Sequence, residues 1–155
     1  MAAGIDGWLG ARTMTAQRPD QWHTTLVFIG YVDGVVVETV EELAASVSCA
    51  PFVLSLDRLD HWRKPRIACL TASATPPALQ RLVAELEAAL DAAGVPYDRR
   101  PYRPHLTLAR KVARLERKGP IAPLEWPVTD FALVESISSS AGSRYEPLAC
   151  YSCRG

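Results

Sequence analysis

Apolar positions along the chain recur at two spacings, and the spacing predicts the element. His23-Thr-Thr-Leu-Val-Phe-Ile29, rich in β-branched and aromatic side chains and closed by Gly30, predicts a strand. Val36, Val40, Leu43 and Val47 then return every three or four residues, with Glu38, Glu41 and Glu42 between them. That predicts an amphipathic helix stopped by Pro51. Phe52–Leu56 and Arg66–Thr71 predict two further strands, joined by a polar connection that carries His61, Trp62, Lys64 and Pro65. Pro76-Pro77 opens the clearest helix, whose stripe of Leu79, Leu82, Val83, Leu86 and Leu90 ends at Gly94. His105–Leu108 alternates with period two and predicts a short strand, whereas the proline-broken Ile121–Pro127 predicts a loop. Phe131–Ile137 and Tyr145–Tyr151 predict a terminal antiparallel pair around Ser138–Ser143, where Gly142 suits the turn. Five or six strands and two helices without a strict strand–helix rhythm predict an α+β fold.

A length of 155 residues predicts one domain, and a hydrophobic share of 48% with 22% charged residues argues against a disordered chain. Seventeen basic and seventeen acidic residues balance, so a global positive field of the kind that drives sequence-independent DNA binding is excluded. Any nucleic-acid contact must be local. The longest apolar stretch, around Leu26–Val32, falls far short of the roughly 18–20 residues that cross a bilayer. No membrane partner is expected. The N-terminus lacks a basic segment followed by an apolar one, so the expected location is cytoplasmic. Cys49, Cys69, Cys150 and Cys153 are then expected as reduced thiols, and Cys150-Tyr-Ser-Cys153, with no second pair or nearby His, is not expected to hold a metal.

Two of the three histidines open the same tetrad, His23-Thr24-Thr25-Leu26 and His105-Leu106-Thr107-Leu108, 82 residues apart (105 − 23). In a strand, His and the Thr two positions on share a face, so each tetrad offers an imidazole beside a hydroxyl while its other face anchors against the protein. An unperturbed imidazole titrates near pH 6.5, so one such ring can accept a proton at neutral pH while a second donates one. In-line displacement at phosphorus needs a base and an acid on opposite sides, with hydroxyls and cations holding the non-bridging oxygens. Neither a metal nor a cofactor is demanded. From Arg99 to Lys118 eight basic residues face the single acid Glu116, a positive rim beside the second tetrad. Within it Arg110, directly after the tetrad, is the candidate phosphate contact, although alternation sends it to the face opposite His105. Phe28 and Tyr102 are candidates for stacking on a base, with core packing the competing expectation for Phe28. Trp62 and His61 are expected to cover the sheet.

The segments Trp22–Gly30 and Pro101–Arg110 resemble the paired signatures of the two-histidine (2H) phosphoesterases, and most nearly the bacterial RNA 2′,3′-cyclic phosphodiesterases, also called 2′-5′ RNA ligase or LigT-like proteins. Leu56–Ile67, Phe131–Ser136 and Gly142–Glu146 extend the likeness from about residue 12 to about 149. The resemblance implies one domain of two lobes, each a small antiparallel sheet with helices outside, and a central cleft where the tetrads face each other. It also implies hydrolysis of RNA 2′,3′-cyclic phosphate ends to 2′-phosphomonoesters. His23 would donate the proton to the leaving ribose oxygen, His105 would activate water, and Thr25 and Thr107 would hydrogen-bond the phosphate. RNA ends or nucleoside cyclic phosphates are the implied partners, and the oligomeric state stays open. Members of that family begin with an apolar strand and a helix ahead of the segment matching Arg12–His23, whereas only MAAGIDGWLGA precedes it here. The expectation is therefore twofold: either the true start lies upstream, or this is a shortened member, its activity in question, whose fold lacks that strand and helix and bares a sheet edge. Two alternatives to hydrolysis of RNA ends follow: an impaired module that binds nucleotides or RNA ends, and an enzyme acting on 2′-5′ linkages or small cyclic nucleotides.

Overall fold

The computed structural model describes residues 14–140 and 142–154. The missing strand and helix expected at the N-terminus fall on residues 1–11 and lie outside the described residues. The described elements run β1 (Thr15–Ala16), a 3-10 turn (Pro19–Gln21), α1 (Gly34–Ser46), β2 (Phe52–Trp62), β3 (Ile67–Thr71), α2 (Pro77–Ala92), β4 (His105–Arg110), β5 (Gly119–Val128), β6 (Asp130–Ser139) and β7 (Gly142–Ser152). The α+β class is borne out. The chain divides into two compact units. One contains the described residues up to Thr24, Ser55–Ala74 and Arg103–Glu125, and the other Thr25–Leu54, Thr75–Tyr102 and the chain from Trp126.

The first unit is built on a sheet of order β1-β4-β3-β2-β5. β1 with β4, β4 with β3 and β3 with β2 are antiparallel, and the β3–β4 register slips between Ala68 and Cys69. Leu59, Leu70 and Leu106 face one another across three strands, each at most 5% exposed, because residues directly opposite in a ladder share a face. Two expectations are corrected here. The polar connection after Leu56 is the second half of β2, which runs on through Trp62 because Arg58 to Trp62 pair with Thr71 to Ile67. Ile121–Pro127 is not a loop but most of β5. Its Pro120, Pro123 and Pro127 side chains are exposed on an edge strand, the place in a sheet where proline is tolerated.

The second unit packs both α-helices with the β6–β7 hairpin. Asp33 caps α1 by accepting a hydrogen bond from the Val36 N–H at 3.0 Å. α2 begins with Pro77 in its first turn, where a proline costs no helical bond. It ends as its sequence predicts. Gly94 adopts φ 68°, and the Val95 and Gly94 N–H groups return to the carbonyls of Leu90 and Asp91 at 2.9 and 3.1 Å, a Schellman closure. Val40, Leu90 and Val95 form one buried cluster, flanked by Val27, Ile29, Val36, Leu43, Tyr97 and Leu133. Ala44, Cys49, Leu82, Phe131 and Cys153 form another. The hairpin pairs Asp130–Ser139 with Gly142–Ser152 as expected, with Gly142 at φ 117°.

The cysteine expectation is corrected. Cys49 and Cys153 form a disulfide, their Cα atoms 4.4 Å apart across 104 residues of sequence. Nothing local announces such a pair. It also removes the Cys150–Cys153 spacing as a unit, since Cys150 is free and exposed and Cys69 free and buried. No described helix is long and apolar enough to cross a membrane.

Candidate active site

The second tetrad lies where the alternation of β4 puts it. His105 and Thr107, both half-buried, point to one face, while Leu106 and Leu108 are 3% and 2% exposed on the other. The first tetrad departs from its prediction. Residues 23–30 lie in no strand: an apolar β-branched run needs a neighbouring ladder, and among the described residues the backbone bond made there is an isolated one, Asp98 N–H to the Phe28 carbonyl at 2.8 Å. Alternation fails with it: Leu26 and Val27 both pack against core clusters, and Phe28 is 60% exposed rather than buried. His23 is instead set by the turn before it. The Gln17 N–H binds the Leu108 carbonyl of β4 at 2.7 Å, Trp22 donates its indole N–H to the Gln17 carbonyl at 3.2 Å, and the 3-10 turn Pro19–Gln21 brings the chain round to His23.

The two imidazoles share one device despite these different settings. His23 Nδ1 lies 2.8 Å from the carbonyl of Gln21, and His105 Nδ1 lies 2.8 Å from the carbonyl of Arg103. Each bond reaches the residue two positions upstream. A carbonyl only accepts, so Nδ1 carries the proton of each neutral ring and Nε2 is its basic nitrogen. Thr24, the residue between the first histidine and its tetrad threonine, donates its hydroxyl to the carbonyl of His105 at 3.2 Å. Both histidines thus belong to the first unit and are tied to one another through Thr24. Burial holds the His105 imidazole below its ordinary titration range. The Arg103 carbonyl opposes that shift, and the positive fields of His23, Arg103 and Arg110 add to it.

Arg110 is exposed at the end of β4, on the alternation opposite His105, yet close enough for its charge to act on that ring. Thr25 is exposed and belongs to the second unit. The basic run is less free than its composition implied, since Arg99 pairs with Asp91 at 2.5 Å and Arg100 with Asp98. Tyr102 is half-buried with its hydroxyl enclosed. His61 covers the sheet as expected, its Nε2 lying 3.0 Å from the Val112 carbonyl. Among the described residues no group of three or more His, Cys, Asp or Glu side chains is arranged to hold a metal ion.

Sequence reasoning missed the residues beside His105 on its own face. Cys69 and Thr71 stand opposite Thr107 and His105, and Asp60 stands opposite Cys69. Thr71 is buried and donates its hydroxyl to Asp60 at 2.7 Å. Trp62 shares that face, its ring centroid 4.4 Å from that of His105 and its ring 4.9 Å from the Arg103 guanidinium carbon. The available signal was alternation along β2, readable only once that strand is known to continue to Trp62.

Fold and paired tetrads together are those of a 2H phosphoesterase. The chain belongs to the 2′-5′ RNA ligase superfamily, whose family model matches residues 15–138. It is 30% identical over 131 residues to the RNA 2′,3′-cyclic phosphodiesterase of Escherichia coli K12, a match covering 83% of this chain and 74% of that protein. The protein of the same name from Thermus thermophilus is 33% identical over 151 residues, covering 88% of this chain and 74% of the relative. The crystal structure of E. coli LigT complexed with 3′-AMP superposes with a TM-score of 0.82 at 27% identity, covering 90% of this chain and 81% of that one.

Proposed function

We propose that this chain hydrolyses RNA 2′,3′-cyclic phosphate ends to 2′-phosphomonoesters. His105, with Nδ1 tied to the Arg103 carbonyl, takes a proton from water at Nε2 as the water oxygen bonds to phosphorus. His23, held the same way by Gln21, gives the proton on its Nε2 to O3′ as the P–O3′ bond breaks, which leaves a 3′-hydroxyl and a 2′-phosphate. The hydroxyls of Thr25 and Thr107 and the Arg110 guanidinium are assigned to the non-bridging oxygens, where charge accumulates. Acid and base are both side chains, so the reaction as written needs no metal, and dialysis against a chelator leaves its rate unchanged.

The observation that carries this reading is the matched anchoring of the two Nδ1 atoms, which makes Nε2 the basic nitrogen of each ring. Burial of His105, which lowers its titration, supports the base role for that ring, because a base must be neutral to act. Relatives named RNA 2′,3′-cyclic phosphodiesterase support the substrate class.

The test is hydrolysis of a nucleoside 2′,3′-cyclic phosphate measured from about pH 5 to 9, with ligand affinity taken on the same preparation. A bell-shaped kcat/KM is expected, its limbs reporting the pair rather than either ring. Affinity without turnover at any pH would defeat the enzyme reading and leave a module that only binds nucleotides.

A further inference from the structure

We propose that Trp62 is a positioning residue for His105: its indole and the Arg103 carbonyl together fix the plane of that imidazole and the direction in which Nε2 points. The inference rests on the proposed role of His105 as the base. One hydrogen bond fixes the position of Nδ1 but leaves the ring free to swing about that contact, and swinging moves Nε2 off the line to phosphorus. A flat neighbour against the ring stops that motion. Trp62 supplies it at 4.4 Å between centroids with the planes 47° apart, a tilted contact of the kind aromatic pairs prefer.

The sheet explains how the two rings meet. Trp62 and His105 lie on the same face two strands apart, diagonally placed, and the paired residues between them are the small Cys69 and Thr107. Larger side chains there would hold the rings apart. The indole is itself held. Its backbone carbonyl accepts the Arg66 N–H at 2.8 Å in the turn from β2 to β3, and the Arg103 guanidinium lies over its ring. Arg103 is exposed and has no carboxylate partner among the described residues, so the ring is its described seat. Arg103 therefore grips the base twice, through its carbonyl on Nδ1 and through its side chain on the tryptophan. Trp62 is half-buried at the strand end and is not among the residues of the buried core.

The indole also takes water from one side of the imidazole, in keeping with burial as the main cause of the lowered His105 titration. The other groups facing that ring are His23, Arg103 and Arg110, with Asp60 reaching it only through Thr71 on β3. Removing the indole leaves His23 and Arg110 in place and rehydrates the ring, so the His105 titration moves up toward the ordinary imidazole value.

The experiment compares Trp62→Ala, Trp62→Leu and Trp62→Phe with the parent chain. The His105 ring resonances are followed by NMR against pH, assigned by their loss in His105→Ala, and kcat and KM are measured for a nucleoside 2′,3′-cyclic phosphate. The alanine and leucine variants should lower kcat about 10- to 100-fold with KM within about twofold, and raise the His105 midpoint. Trp62→Phe, which keeps a flat ring, should restore most of both. An unchanged His105 titration and kcat in Trp62→Leu would overturn the proposal, as would equal losses in the leucine and phenylalanine variants. Should the parent chain turn over no cyclic phosphate, the functional reading fails, and the titration alone still decides whether Trp62 sets the state of His105.

Discussion

At His23 and His105 a carbonyl two residues upstream lies 2.8 Å from Nδ1, and the proposed acid–base chemistry rests on this pair of contacts. Because acid and base act in one step, His23→Ala and His105→Ala should each lower kcat/KM by roughly 10²–10⁴, and the double variant should be little worse than either. His61→Ala, which loses only a contact with the Val112 carbonyl, should stay near the parent rate. Steady-state kinetics on folded variants checks all of these. The base must be neutral to act and burial lowers its titration, so the His105 ring resonances followed by NMR should titrate below the roughly 6.5 of a free imidazole. The thiols give a second residue-scale contrast. Burial pushes Cys69 up to about 12, whereas Cys150 is exposed. An alkylating reagent at pH 8 should therefore label Cys150 in the native protein and reach Cys69 only on unfolding, as mass spectrometry of the digest would show.

Among the elements, α1, α2, β4 and the β6–β7 hairpin were legible in the sequence because each carries its own signal. Helical stripes, a proline start, a glycine stop and a turn glycine act over a few residues and need no distant partner. Asp33 belongs to the same local kind, although only its bond to Val36 shows it. Asp33→Ala should cost about 0.5–2 kcal/mol, read by urea unfolding with no change in the slope. The misread elements depend on neighbours. Residues 23–29 have strand composition but make no ladder among the described residues, whereas the prolines of β5 discouraged a strand that an edge position tolerates. In β2 the polar residues Asp57, Arg58 and Asp60 hid a strand whose pairing with β3 is continuous to Trp62. Propensity reports how a residue suits a pleated surface, and pairing decides whether that surface exists.

For the whole molecule, the Cys49–Cys153 disulfide joins the loop after α1 to the residues following β7. It lies in a buried cluster with Ala44, Leu82 and Phe131, so its loss removes both a crosslink and well-packed sulfur. Closing a loop of 104 residues restrains the unfolded chain by up to about 4.7 kcal/mol in the entropic account. Reduction, or the pair Cys49→Ser with Cys153→Ser, should lower stability by about 2–5 kcal/mol, measured by thermal unfolding with and without a thiol reductant. The tetrad histidines belong to the other unit. Near-parent turnover at temperatures where the reduced chain stays folded is therefore expected.

The sequence by itself determined the α+β class, both helices, the ends of α2, the terminal hairpin and the two H-x-T-x tetrads, because these rest on periodicity, capping and spacing within short windows. It also determined the family resemblance, since motifs in order along most of the chain are a property of sequence alone. Tertiary structure decided everything that depends on residues far apart in the chain meeting in space. It tied Thr24 to the His105 carbonyl, paired Cys49 with Cys153, and laid Trp62 against His105. The reason is range: a cap or a stripe acts within a turn or two of its own residues, whereas a ladder, a crosslink or a ring contact exists only where the fold brings distant segments within a few ångströms.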